Sequence, residues 1–423
     1  MSGAAGHLMH LYDNRQLTFA DIKEIIHTAA SGKLEQVVEK LDGANLVFTW
    51  DQSSDRLLVA RNSRDIKEGG RNSEELAAKF ESRGNLSQMF SEAFDILESA
   101  IGVMTPAART MAFGTEAQRW YSLEIVYSTA PITINYDSNN IIFHSWPVFE
   151  HSNGVIKRLE SHRGSLIIER CINQMQMAVA NKKWQVHGKI FVNLNELSTN
   201  VPQKLLAKLD EVIANAGIDD FSTLEDYVRS CMREEVYKLR LPQTLSEKLI
   251  ERSLKTEGCL TLTQLKKIAP QNKVTVVSEF VKTSEKLIKK FISPIERIVN
   301  DLALEVLKGV NSALISNPSN EICRLQNNLR EAVQIIESSG DEETLLILRE
   351  ELNRLGSIDN IASAIEGIVF RYKGNSYKLT GAFAPMHQIM RLLKNENLKS
   401  KSEIVTSKSD IEILLKAHLI NRR

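Results

Sequence analysis

The sequence predicts an α+β fold of antiparallel sheets interrupted by a large, mainly α-helical insertion. Three observations carry this. Residues 1–158 mix helical and strand periodicity. Residues 159–360 repeat apolar positions at three and four, the spacing of amphipathic helices. Strand character then returns in residues 361–423. The two α+β pieces are expected to form one domain, with the helices inserted between them.

The elements follow in order. In 18–28, Phe19, Ile22, Ile25 and Ile26 recur at helical spacing, and the helix should end near Ser31-Gly32. Segments 36–40, 44–50 and 56–61 are short and rich in Val, Leu and Phe. An Asp-Gly pair and a polar 51–55 loop separate them, so they read as consecutive antiparallel strands. Helical periodicity at 73–82 and 86–104 gives way to strands at 120–127 and 140–148. In the insertion, 203–214, 224–239 and 274–314 are the long helical runs. Pro294 is expected to bend or divide the last, because it removes a donor and clashes with the preceding turn. Strands return at 367–372 and 376–380 around a Lys373-Gly374-Asn375 turn, followed by short helices at 385–394 and 409–418.

Composition sets limits on function. With 423 residues the chain can bury a large core and suggests two or three domains. The 53 Lys plus Arg balance 53 Asp plus Glu, which argues against non-specific coating of nucleic acid but leaves room for a local basic groove. Cys171, Cys231, Cys259 and Cys323 form neither a CxxC pair nor a Cys/His cluster, and read as free thiols of a reducing compartment. No apolar run is long enough to span a bilayer, and Met1-Ser2-Gly3 does not open a signal peptide. The expectation is a cytoplasmic protein without a membrane partner; oligomeric state is left open. The nine histidines show no HExxH spacing, which sets a zinc hydrolase aside. Lys282, Lys286, Lys289 and Lys290 share one side of a helix. They read first as its solvated face, with a grip on phosphates as the alternative.

The segment Glu39-Lys40-Leu41-Asp42-Gly43 carries the sharpest chemistry. A lysine attacks phosphorus only as the free amine, and burial beside cationic charge can lower its pKa. The Asp-Gly that follows allows a tight turn projecting the amine, and Asn45 on the next strand can bond a ribose or phosphate oxygen. By itself the KxDG string also fits an ordinary turn after an exposed lysine, so context decides.

That context is an ordered series resembling the covalent nucleotidyltransferases, the superfamily of ATP-dependent DNA and RNA ligases and messenger-RNA capping enzymes. Glu39 to Asn45 resembles motif I. Ala60-Arg61-Asn62-Ser63-Arg64 resembles motif Ia, with Arg61 at the matching position and Arg64 as an alternate. Leu123-Glu124-Ile125-Val126 resembles motif III and Ile142-Phe143-His144 motif IIIa. Glu366-Gly367-Ile368-Val369-Phe370 resembles motif IV, and Tyr377-Lys378-Leu379-Thr380 motif V.

The resemblance implies that Lys40 is the catalytic nucleophile and takes AMP from ATP. Glu39, Asn45, Arg61, Glu124, Phe143 and Lys378 would bind the nucleotide: Arg61 at the ribose or substrate end, Glu124 at the ribose hydroxyls, Phe143 stacked on adenine and Lys378 on the α-phosphate. Glu366 would hold Mg²⁺ or Mn²⁺, and Lys378 is expected to depress the Lys40 pKa. Thr380 stands where the family has a second lysine, and Lys373 across the hairpin is the candidate to substitute for it. Only about 40 residues follow motif V, too few for the OB-fold of the larger relatives. The chain is most similar to compact RNA ligases of tailed bacteriophages, which would place it in the host cytoplasm. Its partner would be nucleic acid, RNA or DNA, with 5′-phosphate and 3′-hydroxyl ends. Two other functions stay open: transfer of AMP to a non-nucleic-acid acceptor, and a non-catalytic nucleotide-binding or virion-associated protein.

Overall fold

The computed structural model describes residues 8–404 except 82, 129–133, 135, 160–161, 311–313, 316, 362 and 382. The helix expected at 409–418 lies outside them. The architecture is mixed α and β with antiparallel sheets. Helix α1 (Phe19–Ala30) starts where Thr18 and Asp21 form a reciprocal capping box, which satisfies two amides left unpaired at a helix start. Strand β1 (Glu35–Lys40) follows, then β2 (Ala44–Asp51) and β3 (Arg56–Ala60).

The three early strands are not one meander as expected. β2 pairs with β3, but β1 turns away and pairs antiparallel with β8 (Gly367–Tyr372), placing Lys40 opposite Gly367. The reason is visible at Gly43. A Cβ there would lie 2.6 Å from the Ile125 carbonyl oxygen and 2.8 Å from Glu124 Cγ, so only glycine lets the chain pass that strand this closely. β9 (Asn375–Thr380) completes a three-stranded sheet ordered β1-β8-β9. Its hairpin turn is two residues, Lys373 and Gly374, both at positive φ, the geometry that matches strand twist.

Between these lie α2 (Ser63–Lys67), α3 (Ser73–Phe80), α4 (Asn85–Gly102), α5 (Pro106–Phe113), β4 (Arg119–Val126), β5 (Asn139–Ser152), β6 (Val155–Leu159), α6 (Arg163–Val179) and β7 (Trp184–His187). The second sheet runs β3-β2-β4-β5-β6, with β7 parallel to β5. One of its faces carries Leu46, Phe48, Tyr121, Leu123, Ile141 and Phe143, which form one core with apolar residues of α3 to α6. The region expected to be helical thus opens with α6 and β7, built into this sheet.

The helices proper are α7 (Asn200–Ala216), α8 (Leu224–Tyr237), α9 (Gln243–Leu254), α10 (Leu262–Ile268), α11 (Val274–Lys308), α12 (Pro318–Ser339) and α13 (Glu342–Leu355). α11 runs through Pro294 as one helix, and the Tyr227 hydroxyl donates to the Phe291 carbonyl at 3.0 Å in the turn that proline weakens. α7 to α11 share a core with α1, β8 and β9 through Ile365, Phe370, Tyr377 and Leu379. α12 and α13 pack with α14 (Phe383–Ile404), one helix that covers the expected 385–394. Their core includes Leu41, Val126, Tyr136 and Ile142, so it closes over the second sheet's other face beside the turn that holds Lys40.

Candidate active site

Lys40 ends β1, and Glu366 immediately precedes β8, the strand it pairs with. Their side chains meet at 2.5 Å, Lys40 Nζ to Glu366 Oε2, with 19% and 21% of each exposed. The pair is thus enclosed yet reachable. The register depends on Gly367, where a Cβ would lie 2.2 Å from the Leu379 carbonyl oxygen.

Burial pulls the Lys40 ammonium down, but Glu366, with Glu124 and Asp42 farther off, outweighs it and holds the pKa above the ordinary lysine value. This reverses the expectation that Lys378 would depress it. Lys378 is itself the lowered amine: burial and the Lys40 charge pull it down, against Glu366 and Asp13. Burial pushes the Glu366 carboxyl up, helped by Asp42 and Glu124 and opposed by Lys40.

The second sheet supplies the facing wall. Alternation along β4 puts Trp120, Glu124 and Val126 on the face away from α4 to α6. Asn45 lies opposite Glu124 in the β2–β4 ladder, and its Nδ2 donates to the Leu123 carbonyl at 3.2 Å. Arg61 Nη1 donates to the Asn45 carbonyl, and its guanidinium stacks on Phe90 at 5.1 Å. Burial lowers the Arg61 pKa, and Glu124 is the largest influence resisting it, ahead of Asp65. Lys40, Glu366, Glu124, Asn45, Arg61 and Lys378 are therefore brought into one neighbourhood from both sheets.

Two expected residues are not. Phe143 is 4% exposed and packs 5.2 Å from Phe48 in the core under α4 to α6, so its ring cannot reach a base at Lys40. Its neighbour His144 faces the site, with Nε2 3.5 Å from Glu124 Oε2. Glu39, one residue from Lys40, takes the opposite side of β1 by strand alternation. It is 4% exposed, and its charge adds to the burial that pushes the Tyr136 hydroxyl up. Lys373 does not replace the missing motif V lysine either. It sits at the far end of the hairpin, bound to Asp21 at 2.6 Å, whereas Thr380 is buried opposite Gly367.

Sequence reasoning gives Asp42 a place only in the Asp-Gly turn and misses two further contributors. Asp42 accepts from the Ile134 amide at 2.8 Å, and its own amide donates to the Tyr136 hydroxyl at 3.2 Å, which fixes the turn after Lys40. His144 was one position from the residue chosen. His10 had no signal at all: Met9 pairs with Tyr377, and the Lys378 amide donates to the Met9 carbonyl at 3.0 Å. That lays His10 beside the lysines, and burial with the Lys378 and Lys40 charges pushes its imidazole down to about 3.

Mg²⁺ typically takes one or two protein carboxylates and completes its shell with water and phosphate. Among the described residues no three His, Cys, Asp or Glu side chains are grouped to hold a metal ion. Glu366 as a single carboxylate, with Asp42 and Glu124 adding negative potential, fits that sparse use of protein ligands. Compared with known proteins, the chain matches no family model and no curated sequence.

Proposed function

We propose that the chain is an ATP-dependent polynucleotide ligase, with RNA as the favoured substrate, working through a lysyl-AMP intermediate on Lys40. The observation that carries this reading is the contact between Lys40 and Glu366, two residues singled out by separate motifs far apart in the chain. Glu366, in contact with Nζ, would accept the Lys40 proton as ATP binds. The freed Nζ would attack the α-phosphorus of ATP, forming a P–N bond as the P–O bond to pyrophosphate breaks. Lys378 would balance charge on the α-phosphate, and the Asn45–Glu124 pair would bind ribose. His144, in place of Phe143, is the ring available to stack on the base. A 5′-phosphate oxygen would next displace Lys40 and form a P–O–P link to AMP. Attack by a 3′-hydroxyl would then expel AMP and seal the strand, its proton passing to solvent. When bound at Glu366, Mg²⁺ would supply electrostatic stabilisation of the phosphoryl oxygens.

Incubation with α-labelled ATP and Mg²⁺ tests the first step. Covalent label should appear on the wild type and be absent from Lys40→Ala. A wild type without label, or label persisting in that variant, refutes the assignment. A second reading has its own support: Thr380 replaces a phosphate-binding lysine, and Lys40 rests as a bound ammonium, as in a non-catalytic nucleotide-binding protein. A wild type without label would favour it. Supplying nicked and single strands to labelled protein separates ligation from transfer of AMP to another acceptor.

A further inference from the structure

Beyond the lysine site, a cavity of about 320 Å³ opens where α8, α9 and the first half of α11 meet the segment following His10. Its lining includes Arg15, Arg252, Lys255 and Lys282, opposed by Glu225 and Glu285. The balance is positive, and the acids are the weaker side. Glu225 is already engaged, by Arg229 at 3.1 Å and by the Gln16 amide at 3.2 Å. Among the described residues, none of the four cations lies in an ion pair within 4 Å of a carboxylate. Arg15 Nη1 is buried without a hydrogen-bond partner, a donor that water or a bound anion would satisfy.

The cavity does not stand alone. From Lys282 at its rim, Lys286, Lys289 and Lys290 continue along the same side of α11, all exposed, over about 12 Å of helix. The same helix reaches the catalytic neighbourhood at its other half. Asn300, Asp301 and Leu304 line a small cavity together with His10 and Thr380. Lys290 is therefore about 15 Å, and Lys282 about 27 Å, along the helix axis from Asn300.

We infer that this cleft and lysine row form a second, distal binding site for the phosphate backbone of a nucleic-acid strand whose end is held at Lys40. The site is separate from the nucleotide pocket and rests on the ligase reading only for the identity of the strand. At about 3.4 Å per nucleotide the row would engage phosphates about four to eight nucleotides from the reacting end. A row of exposed cations on one side of a helix suits a run of phosphates along a strand. It also reconciles strand binding with a chain of zero net charge, because the attraction is local.

The test uses the full chain and the charge reversals Lys255→Glu, Lys282→Glu and Lys286→Glu, combined and with Lys282→Glu alone. Binding to 5′-phosphorylated RNA of about four and about twelve nucleotides, lengths that bracket the estimated reach, is followed against salt by fluorescence anisotropy. For the longer strand, the triple variant should bind about tenfold or more weakly, and its log–log salt slope should fall by about two to three. Lys282→Glu alone should lower the slope by about one. The short strand and covalent labelling by α-labelled ATP should be unchanged in both. Unaltered binding and slope for the longer strand would overturn the proposal, as would equal affinity for polyglutamate, which would make the surface a general polyanion site. Loss of label from the wild type would instead defeat the ligase reading and leave the binding result standing.

Discussion

Glu366 keeps Lys40 protonated, and the pH response of the site follows from that contact. A lysine whose folded pKa is raised gives its stabilisation below the unfolded value and loses it as pH climbs through the folded one. At neutral pH the Lys40 side of the pair therefore supports the fold, the raised Glu366 carboxyl opposes it, and the free amine becomes available only as pH rises. Glu366→Gln removes the strongest upward pull and leaves burial, which acts downward. In single-turnover labelling, the acid limb of the rate profile should move toward lower pH, with a lower maximum rate. A limb that stays in place would show that Glu366 does not set the Lys40 proton. At this scale the grouping is legible in the sequence: Lys40, Glu124, Glu366 and Lys378, named from short strings in order, lie near one another in the fold. The error at Phe143 has a physical cause. In β5, residues 143 to 148 oppose only 121 to 123 of β4, so the ladder is irregular where the ring must be assigned to a face. A sequence does not reveal which side of a bulge a residue takes.

The elements themselves were easier to read than their partners. α1, β1, β2, β3, α3, α4, β4 and the closing hairpin fall close to their expected places, because periodicity and turn residues are local signals. That β1 pairs with β8 rather than β2 was not legible, since the cause is a close approach between Gly43 and β4. The same glycine makes a test. Gly43→Ala would set a methyl against the Ile125 carbonyl, a backbone atom that cannot swing aside. A loss of about 2 kcal/mol in denaturant unfolding is expected, typical of overpacking a tight site. Labelling of Lys40 should fall by more than this stability loss explains, because the turn that aims the amine must shift. An alanine variant as stable and as readily labelled as the wild type would contradict this account of the turn.

Across the whole molecule, the helices read from the sequence as an insertion are not an appendage. α7 to α11 share one continuous core with α1, β8 and β9. Replacing residues 196–356 with a short linker should therefore leave Ile365, Phe370, Tyr377 and Leu379 facing solvent. Loss of the near-ultraviolet circular dichroism of packed aromatics and strong binding of a hydrophobic dye are the expected results. A truncated chain that unfolds cooperatively with native spectra would instead make the helices a detachable module. The pairing of β1 with β8 also has a consequence during synthesis. Lys40 and Glu366 meet across opposite ends of the chain. At about 5–20 residues per second, on the order of half a minute passes between the ribosome adding one and adding the other. Through that interval the nascent chain carries Lys40 without the carboxylate that holds its proton. A product truncated or stalled before Glu366 therefore cannot form the pair on which the proposed function rests, and synthesis past that residue is the event that assembles it.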